Sequence, residues 1–433
     1  MKFYKYINAL LLFIADVLSI IIAIVLAYES REFIIGVNDI ALKRYITFLP
    51  FYLPLLIFLY EGIYRYRFDF WQEFKVIIYS LFLSLLLVLS YLAITKTVDD
   101  FSRYVVVMSF IFMAFIIPLQ KRLLKRLLLW IGIWKKEAKL LGSSSLLKSI
   151  FNNYYTGYVQ AKEDCDTLFI DSKSFSIPML QKRLQEEIRS HHEIYFIPVI
   201  EDFNLAQSQI FEYFNNGSNL VLLTNRLQSK KNIIIKDIVD RSSAFLLFIV
   251  VLPIVGVVVV AKKFFEPHLP LFYRQKRLGK GGKPFYILKF RTMHQNSDEI
   301  LQKFLLANPQ YREYWQKYKK LPNDPRVTPL GRVLRRFSLD ELPQLINVLK
   351  GEMSLVGPRP YLEHELDGYD ADKEIILSVK PGITGLWQVL GRNDLSFEQR
   401  VAIDRWYVYN WSLWMDFVIL IKTFKAVLDK KTY

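Results

Sequence analysis

The sequence predicts a membrane α-helical bundle over residues 1–135, a small α/β domain over 136–228, and an α-rich domain over 229–433 with a re-entrant membrane helix hairpin. Three observations carry this. Apolar stretches crowd the first 120 residues, short apolar runs alternate with helical patterns from Glu137 to Leu227, and an isolated apolar stretch, Ser242 to Val260, has cations on both flanks.

The bundle rests on four stretches, Ile7 to Tyr28, Ile46 to Tyr60, Val76 to Ile94 and Val105 to Pro118. Each is near the ~20 residues that cross a ~30 Å hydrocarbon core. No small-residue cleavage site closes the first, and similar stretches follow it, so it reads as a span rather than a signal sequence. Asp16 lies within it and reads as a polar contact between packed helices, with no partner visible in the sequence. Lys121, Arg122, Lys125, Arg126, Lys135 and Lys136 follow the fourth stretch, and Lys2 and Lys5 begin the chain. The positive-inside rule places both flanks in the cytoplasm, which an even number of spans satisfies.

The single cysteine, Cys165, excludes an internal disulfide and a cysteine-built metal site. A net charge of +16 could suggest nucleic acid. With membrane spans present, anionic lipid and phosphate-bearing substrates account for the charge, and no nucleic-acid partner is expected.

In the middle region the runs Ala138 to Leu141, Thr167 to Ile170, Ile194 to Val199 and Leu220 to Leu223 read as strands, with a helix over Pro178 to Ile188. Strands alternating with helices imply a parallel sheet. Gly142-Ser-Ser-Ser follows the first strand where a dinucleotide fingerprint would fall, but the Gly-x-Gly-x-x-Gly pattern is missing. The domain is therefore degenerate Rossmann-like and is expected to bind no NAD.

Ser242 to Val260 is long enough to span. Lys236 and Arg241 precede it, and Lys262, Lys263, Arg274, Lys276, Arg277, Lys280 and Lys283 follow. Positive charge on both sides opposes a simple crossing. Pro253, mid-stretch, removes a backbone donor and clashes with the preceding turn. A hairpin over about 242–264, broken at Pro253 and entering and leaving by the cytoplasmic face, satisfies both facts. A kinked fifth span would instead carry the remaining residues outside.

Phe272 to Met293 reads as a β-hairpin with a Gly-rich turn at Gly279 to Gly282. Lys289 and Arg291, two apart, would share one strand face. Lys262, Lys263 and Lys276 read as cations snorkelling to lipid headgroups. Farther on, Ser338-Leu-Asp-Glu341 fits a capping box, with Leu342, Leu345, Ile346 and Leu349 as the buried stripe of the following helix. In that geometry Glu341 is partly structural. Asp340 keeps a free carboxylate at a helix start, which favours its ionised form and can hold a phosphate nearby. Arg335 and Arg359, the latter stiffened between Pro358 and Pro360, can neutralise the repulsion between a carboxylate and an anionic substrate. The pattern suits phosphoryl transfer. Trp411 to Val427 reads as an amphipathic helix for a membrane interface.

Residues from about Lys236 onward resemble the bacterial sugar transferase family, the monotopic phosphoglycosyl transferases that load a sugar 1-phosphate onto undecaprenyl phosphate. The resemblance stands on Lys236-Asp-Ile-Val-Asp-Arg241, Lys289-Phe-Arg-Thr-Met293, Asp324-Pro-Arg-Val-Thr-Pro-Leu-Gly331, Ser338-Leu-Asp-Glu-Leu-Pro-Gln-Leu345, Val356-Gly-Pro-Arg-Pro360, Lys380-Pro-Gly-Ile-Thr-Gly-Leu-Trp-Gln388 and Asn410-Trp-Ser412, in the family's order. The layout is similar to that of long-form members that initiate O-antigen, capsule or exopolysaccharide synthesis. The family usually breaks its membrane hairpin at Ser-Pro, where this chain has Leu252-Pro253.

The resemblance implies an enzyme of the bacterial inner (cytoplasmic) membrane, multi-pass, with its catalytic domain on the cytoplasmic face. It implies Asp340 as nucleophile toward a UDP-sugar and Glu341 as its dyad partner, helping the metal or accepting a proton. Lys289, Arg291, Arg335 and Arg359 are implied phosphate ligands. Asp404 matches a family carboxylate near the site, and Gly382 to Gln388 is expected to form a loop over the nucleotide or sugar. Magnesium, held through Asp340, is the implied ion, one that takes few carboxylates and borrows other ligands from water and phosphate. Galactose 1-phosphate or glucose 1-phosphate are the leading groups transferred. A four-span domain with an α/β spacer also invites a homodimer. Two rivals make different predictions. A non-catalytic membrane scaffold or regulator of polysaccharide export needs no Asp340, and a polytopic polyprenyl-phosphate transferase keeps its acids among many spans.

Overall fold

The computed structural model describes residues 2–36, 40–142, 149–151, 153–161, 165–188, 191, 193–196, 205, 208–213, 218–318, 321, 324–391 and 395–428. The Ser143 to Ser145 run, and the part of the expected Ile194 to Val199 strand beyond Phe196, lie outside them. The chain divides into two compact units, 1–199 and 200–433.

The first unit begins with helices α1 (Lys2–Ile35), α2 (Leu42–Ile46), α3 (Leu53–Tyr60), α4 (Phe70–Ile94) and α5 (Arg103–Ile131). Helices α1, α4 and α5 are long and apolar enough to cross a membrane. The second expected span is not: Leu49–Tyr60 is a short apolar helix, opening as a 3-10 turn over Leu49–Tyr52. At ~1.5 Å per residue it falls short of the ~30 Å core. Pro50 and Pro54 stand at the first positions of its two segments, where a missing N–H is tolerated, and so fix new helix starts.

Asp16 has the partners that its sequence context concealed. It accepts from Tyr64 Oη at 2.7 Å and Lys121 Nζ at 2.7 Å. Glu73 pairs with Lys125 and lies 3.7 Å from Lys121. All four charged side chains are fully buried, so two acids and two bases offset one another inside the bundle, as buried charge requires.

The same unit carries β1 (Lys136–Leu141), β2 (Tyr158–Gln160), β3 (Thr167–Ile170), helix α6 (Ile177–Glu187) and β4 (Glu193–Phe196). The strands form one sheet in the order β2-β1-β3-β4, parallel throughout. Leu220 to Leu223, expected in that sheet, belongs elsewhere. In the second unit β5 (Gln209–Tyr213) and β6 (Ser218–Leu222) pair antiparallel, because the short link between them is a hairpin length and not a crossover.

The second unit continues with α7 (Lys230–Phe265), β7 (Phe272–Leu278), β8 (Pro284–Phe290), α8 (Ser297–Ala307), α9 (Gln310–Tyr318), α10 (Pro329–Arg336), α11 (Gln344–Lys350), β9 (Ser354–Val356), α12 (Asp370–Leu377), β10 (Gly382–Thr384), α13 (Leu386–Leu390), α14 (Phe397–Asn410) and α15 (Leu413–Leu428). The unit is thus mixed α/β in its short pieces, though helix dominates.

Helix α7 runs through Pro253 as one element of 36 residues, where the sequence predicts a broken hairpin. A proline deletes one intrahelical bond, and a long helix carries that loss when the turns on both sides are packed. Here they are. Ala244, Phe248 and Val251 join the main core with Phe285, Leu345, Val348 and Tyr407, and Val255, Val258 and Val259 pack on Phe290, Leu330 and Leu334. These positions recur at helical spacing and define one face. On the other face Phe245, Leu246, Ile249, Val250, Leu252, Val257 and Val260 are exposed.

Both ends of α7 are tied to the domain by buried lysines. Lys236 Nζ reaches Asp416 at 2.6 Å and the carbonyl of Val356 at 3.1 Å. Lys262 Nζ reaches the carbonyl of Arg291 at 2.6 Å and Glu266 at 2.5 Å, so Lys262 is buried rather than snorkelling. Asp416 also accepts from Tyr407 Oη at 2.6 Å and Trp411 Nε1 at 2.8 Å. Trp411 is therefore a buried strut, and the exposed apolar stripe of α15 is Leu413, Phe417, Ile421 and Phe424.

Removing Glu73 strands Lys125 in an apolar bundle. Glu73→Leu is expected to cost ~3–5 kcal/mol, measured as a lowered denaturant midpoint in detergent micelles, whereas Arg44→Gln, which breaks the exposed pair with Asp100, shifts it by less than ~1 kcal/mol.

Candidate active site

Strands β7 and β8 form the expected hairpin, with Tyr273 opposite Lys289 and Arg277 opposite Phe285. Alternation puts Phe285, Ile287 and Lys289 on one face together with Tyr273 and Arg277. Phe285 and Ile287 are buried in the core, so this face looks inward and presents a cation near each end. The two cations are four residues apart along the ladder, ~13 Å at ~3.3 Å per residue.

Lys289 marks the first cluster. Its Nζ pairs with Glu341 Oε1 at 2.6 Å. Arg335, in the last turn of α10, donates from Nε to Thr292 Oγ1 at 2.8 Å. Thr292 is itself held where Thr328 N donates to its carbonyl at 3.0 Å, beside the antiparallel bridge between Met293 and Val327. Helix α10 starts at Thr328, whose Oγ1 accepts from Gly331 N at 2.9 Å, with Pro329 at the first helical position. Two runs distant in sequence thus set the position of Arg335.

After α10 the backbone turns sharply. Ser338 is left-handed, with φ 53° and ψ 24°, and makes no side-chain cap, so the expected capping box does not form. Leu339–Glu341 make one 3-10 turn, and α11 begins only at Gln344. Proline at 343 explains the delay, since it cannot donate to a continuing helix and suits a helix start. Of the predicted stripe, Leu345 is a core residue of α11 and Leu349 is partly buried against the same core, and Val348 joins them there.

Freed from the cap, Asp340 sits in a different field from the one expected. Its carboxyl is pushed up from the usual aspartate range, first by burial and then by the neighbouring Glu341 charge, while Lys289 and Arg335 pull it back down. The helix-start effect read from the sequence would have lowered it. A half-buried, under-neutralised carboxylate beside two cations can bind a further cation or attack an electrophile. Asp340 and Glu341 are adjacent oxygen donors, and among the described residues no group of three or more acidic, histidine or cysteine side chains stands together. This set fits a magnesium ion that draws its other ligands from water and phosphate.

Arg291 lies just beyond β8, with its guanidinium 5.4 Å from the Tyr273 ring and its Nε buried without a partner. It follows the Lys289 end of the hairpin, just past the strand on which the spacing expected the two to share a face.

Arg359 belongs to a second cluster. Its Nη2 donates to Glu365 Oε1 at 3.2 Å, and Arg277 Nη1 reaches the other oxygen of Glu365 at 3.3 Å. The Arg359 and Arg400 guanidiniums both lie against Trp387, at 5.9 and 5.3 Å. Among the described residues Arg359 makes no hydrogen bond or ion pair with Asp340 or Glu341. Asp404 is fully buried and accepts from Arg359 N at 3.0 Å and Tyr361 Oη at 2.8 Å. It holds the Arg359 backbone in place instead of facing an open cleft. Burial pushes its carboxyl up to about 7, against the two hydrogen bonds.

Gly382 to Gln388 is not a loop. Gly382 and Thr384 pair in parallel with Ser354 and Val356, and Gln388 lies half-buried on α13. A Cβ on Gly382 would stand 2.1 Å from Gly357 N, so glycine is required where these backbones touch. That contact seats the Arg359 turn on β10.

The chain matches the model of the bacterial sugar transferase family over residues 231–430. It is 35% identical over 400 residues, 85% of this chain and 83% of the relative, to an undecaprenyl-phosphate galactose phosphotransferase of Salmonella typhimurium. The chain belongs to the bacterial sugar transferase family. It is 33% identical over 403 residues to a UDP-galactose-lipid carrier transferase of Erwinia amylovora, covering 85% of this chain and 83% of the relative. A UDP-glucose:undecaprenyl-phosphate glucose-1-phosphate transferase of Klebsiella pneumoniae is 35% identical over 251 residues, 55% of this chain and 50% of the relative. This sugar transferase therefore keeps its family likeness well beyond the matched domain.

Sequence reasoning missed Thr292 and Asn347 as supports of the site. Asn347 Oδ1 accepts from Leu288 N at 3.1 Å, and its Nδ2 donates to Tyr286 O at 2.8 Å, which pins β8 and hence Lys289. The available signal was an amide among the apolar positions of α11.

Lys289→Gln removes a charge that holds Asp340 down, so the acid limb of the pH–activity profile should move to higher pH, and Glu341→Gln should move the limb of its residual activity to lower pH. Asp404 keeps its proton to about pH 7 in the fold but loses it near ~3.9 when unfolded. The unfolded state then binds fewer protons, and stability falls as pH rises between those values. Asp404→Asn should remove that part of the slope in thermal unfolding measured from pH 4 to 8.

Proposed function

We propose that this sugar transferase moves a hexose 1-phosphate from a UDP-sugar to undecaprenyl phosphate, with Asp340 as the covalent nucleophile. The observation that carries the reading is Asp340 itself, a carboxylate set against Lys289 and Arg335 with its titration raised by burial and Glu341. The relatives named for undecaprenyl-phosphate and UDP-sugar chemistry support the substrate classes.

In the first step an Asp340 oxygen attacks the β-phosphorus of the UDP-sugar. The bond from that phosphorus to the bridging oxygen breaks, and UMP departs with the electron pair. Lys289, Arg335 and Arg291 take up charge on the phosphoryl oxygens. In the second step an oxygen of undecaprenyl phosphate attacks the same phosphorus, the bond to Asp340 breaks, and the carboxylate is restored. Glu341 accepts the acceptor's proton when that phosphate arrives monoprotonated. Two displacements through one enzyme-bound group make the kinetics ping-pong. Asp340, with Glu341 beside it, would hold a magnesium ion, which would supply neutralising charge to the pyrophosphate. Arg359, held by Asp404, serves a more distant part of the donor. Galactose is the first choice of sugar, on the relatives named above.

The setting is the bacterial inner membrane with the catalytic domain on the cytoplasmic face. Buried lysines fasten both ends of α7 to one domain, which supports both ends lying on one side of the bilayer with the exposed apolar face of the helix against lipid.

Asp340→Asn is expected to lower UMP release by at least about 10³-fold with UDP-galactose, magnesium and undecaprenyl phosphate. Mass spectrometry of the wild-type enzyme with donor alone should find a phosphohexose on Asp340. Full UMP release by the variant would overturn Asp340 as the nucleophile, no UMP release by the wild-type protein would leave the scaffold reading standing, and UMP release across a panel of UDP-sugars identifies the donor.

A further inference from the structure

At the N-terminal end of α7's apolar stretch lies an open groove of about 480 Å³ lined by Arg241, Ser242, Phe245, Leu246 and Leu349. None of these residues belongs to the site above. The groove is two-sided in character: apolar along Phe245, Leu246 and Leu349, and cationic at its rim.

The rim carries more positive charge than it neutralises internally. Arg241 Nε and Lys380 Nζ both pair with a single carboxylate, Asp237, the arginine at 3.0 Å. Lys350 is exposed immediately after Leu349. The Nη nitrogens of Arg241 have no hydrogen-bond partner among the described residues, and the side chain is 46% exposed. Its guanidinium lies over Gly351, where a Cβ would meet Nη2 at 2.3 Å and Lys380 Nζ at 3.5 Å. Gly351 has φ +81°, so its lack of a side chain both permits the turn after α11 and leaves room for the two cations.

We propose that this groove binds an anionic phospholipid of the host bilayer, its phosphate at Arg241 and one acyl chain along Phe245, Leu246 and Leu349. The inference rests on the reading that α7 lies in the membrane. A guanidinium with free paired donors matches a phosphate, and juxtamembrane cations attract anionic lipid. The exposed apolar face of α7 continues directly from the groove, which suits a chain lying against it. The occupant is not the reacting lipid phosphate. Val258, seventeen residues beyond Arg241 on α7, is the one that packs beside Leu334 and Leu339 next to Asp340, which puts the two ends ~25 Å apart at ~1.5 Å per residue. The bound lipid would instead hold the entry end of α7 at headgroup level.

Native mass spectrometry of the full chain, exchanged into mixed nanodiscs of phosphatidylglycerol and phosphatidylcholine, reads the retained lipid. Wild type should retain phosphatidylglycerol in preference, and Arg241→Gln should cut that retention about fivefold while leaving Asp340-dependent UMP release unchanged. Leu246→Glu, which sets a carboxylate in the chain's path, should have the same effect and serves if the first variant misfolds. Equal retention of phosphatidylcholine, retention unaltered in both variants, or displacement by undecaprenyl phosphate at equimolar level would each overturn the proposal. Failure of the underlying membrane reading looks different: a fluorophore on Val250→Cys, on the exposed apolar face of α7, would then be quenched from water by iodide and not by brominated acyl chains.

Discussion

The second unit is organised by one constraint, the attachment of a long apolar helix to the same domain at both of its ends. Lys236 is buried against Asp416 and Lys262 against Glu266 and the Arg291 carbonyl, and burying an unpaired ammonium would cost far more than these pairs gain. Between the anchors the inner face of α7 packs on β8, α10, α11 and α14. The residues of the Asp340 cluster are placed by elements that lie on this helix: Lys289 is near the end of β8, Arg335 is in the last turn of α10, and Asp340 falls between α10 and α11.

Charge at the site is balanced unevenly and in two places. Near Asp340 two cations face two carboxylates, one of which already holds Lys289, which leaves Asp340 without an ion pair among the described residues. Near Arg359 a single carboxylate serves two arginines while a third lies across the same tryptophan. One cation of each cluster, Lys289 and Arg277, lies on the inner face of one hairpin, ~13 Å apart along its ladder.

The hairpin, the motif residues and the α/β middle were legible because each depends on local signals: alternation in Phe285 to Lys289, glycines at a turn, strands separated by a helical pattern. What misled was the reading of Ser338-Leu-Asp-Glu341, whose spacing fits a cap. Pro343 and the left-handed Ser338 decide otherwise, and they do so only once α10 and α11 are both docked. Asp404 was expected near the site from the resemblance alone, and its hydrogen bond to Arg359 N spans 45 positions and has no local trace. The second apolar stretch had the composition of a span and too few helical residues, because its prolines reset the helix.

By itself the sequence determined the apolar segments, the parallel strands of the middle region and the family, since these follow from composition, period and motif order. Tertiary structure alone decided which residues act together. Burial and neighbouring charge set the protonation of Asp340 and Asp404. Likewise Asp16 found Lys121, and Lys236 found Asp416, because pairing of buried charges is a property of space and not of spacing along the chain.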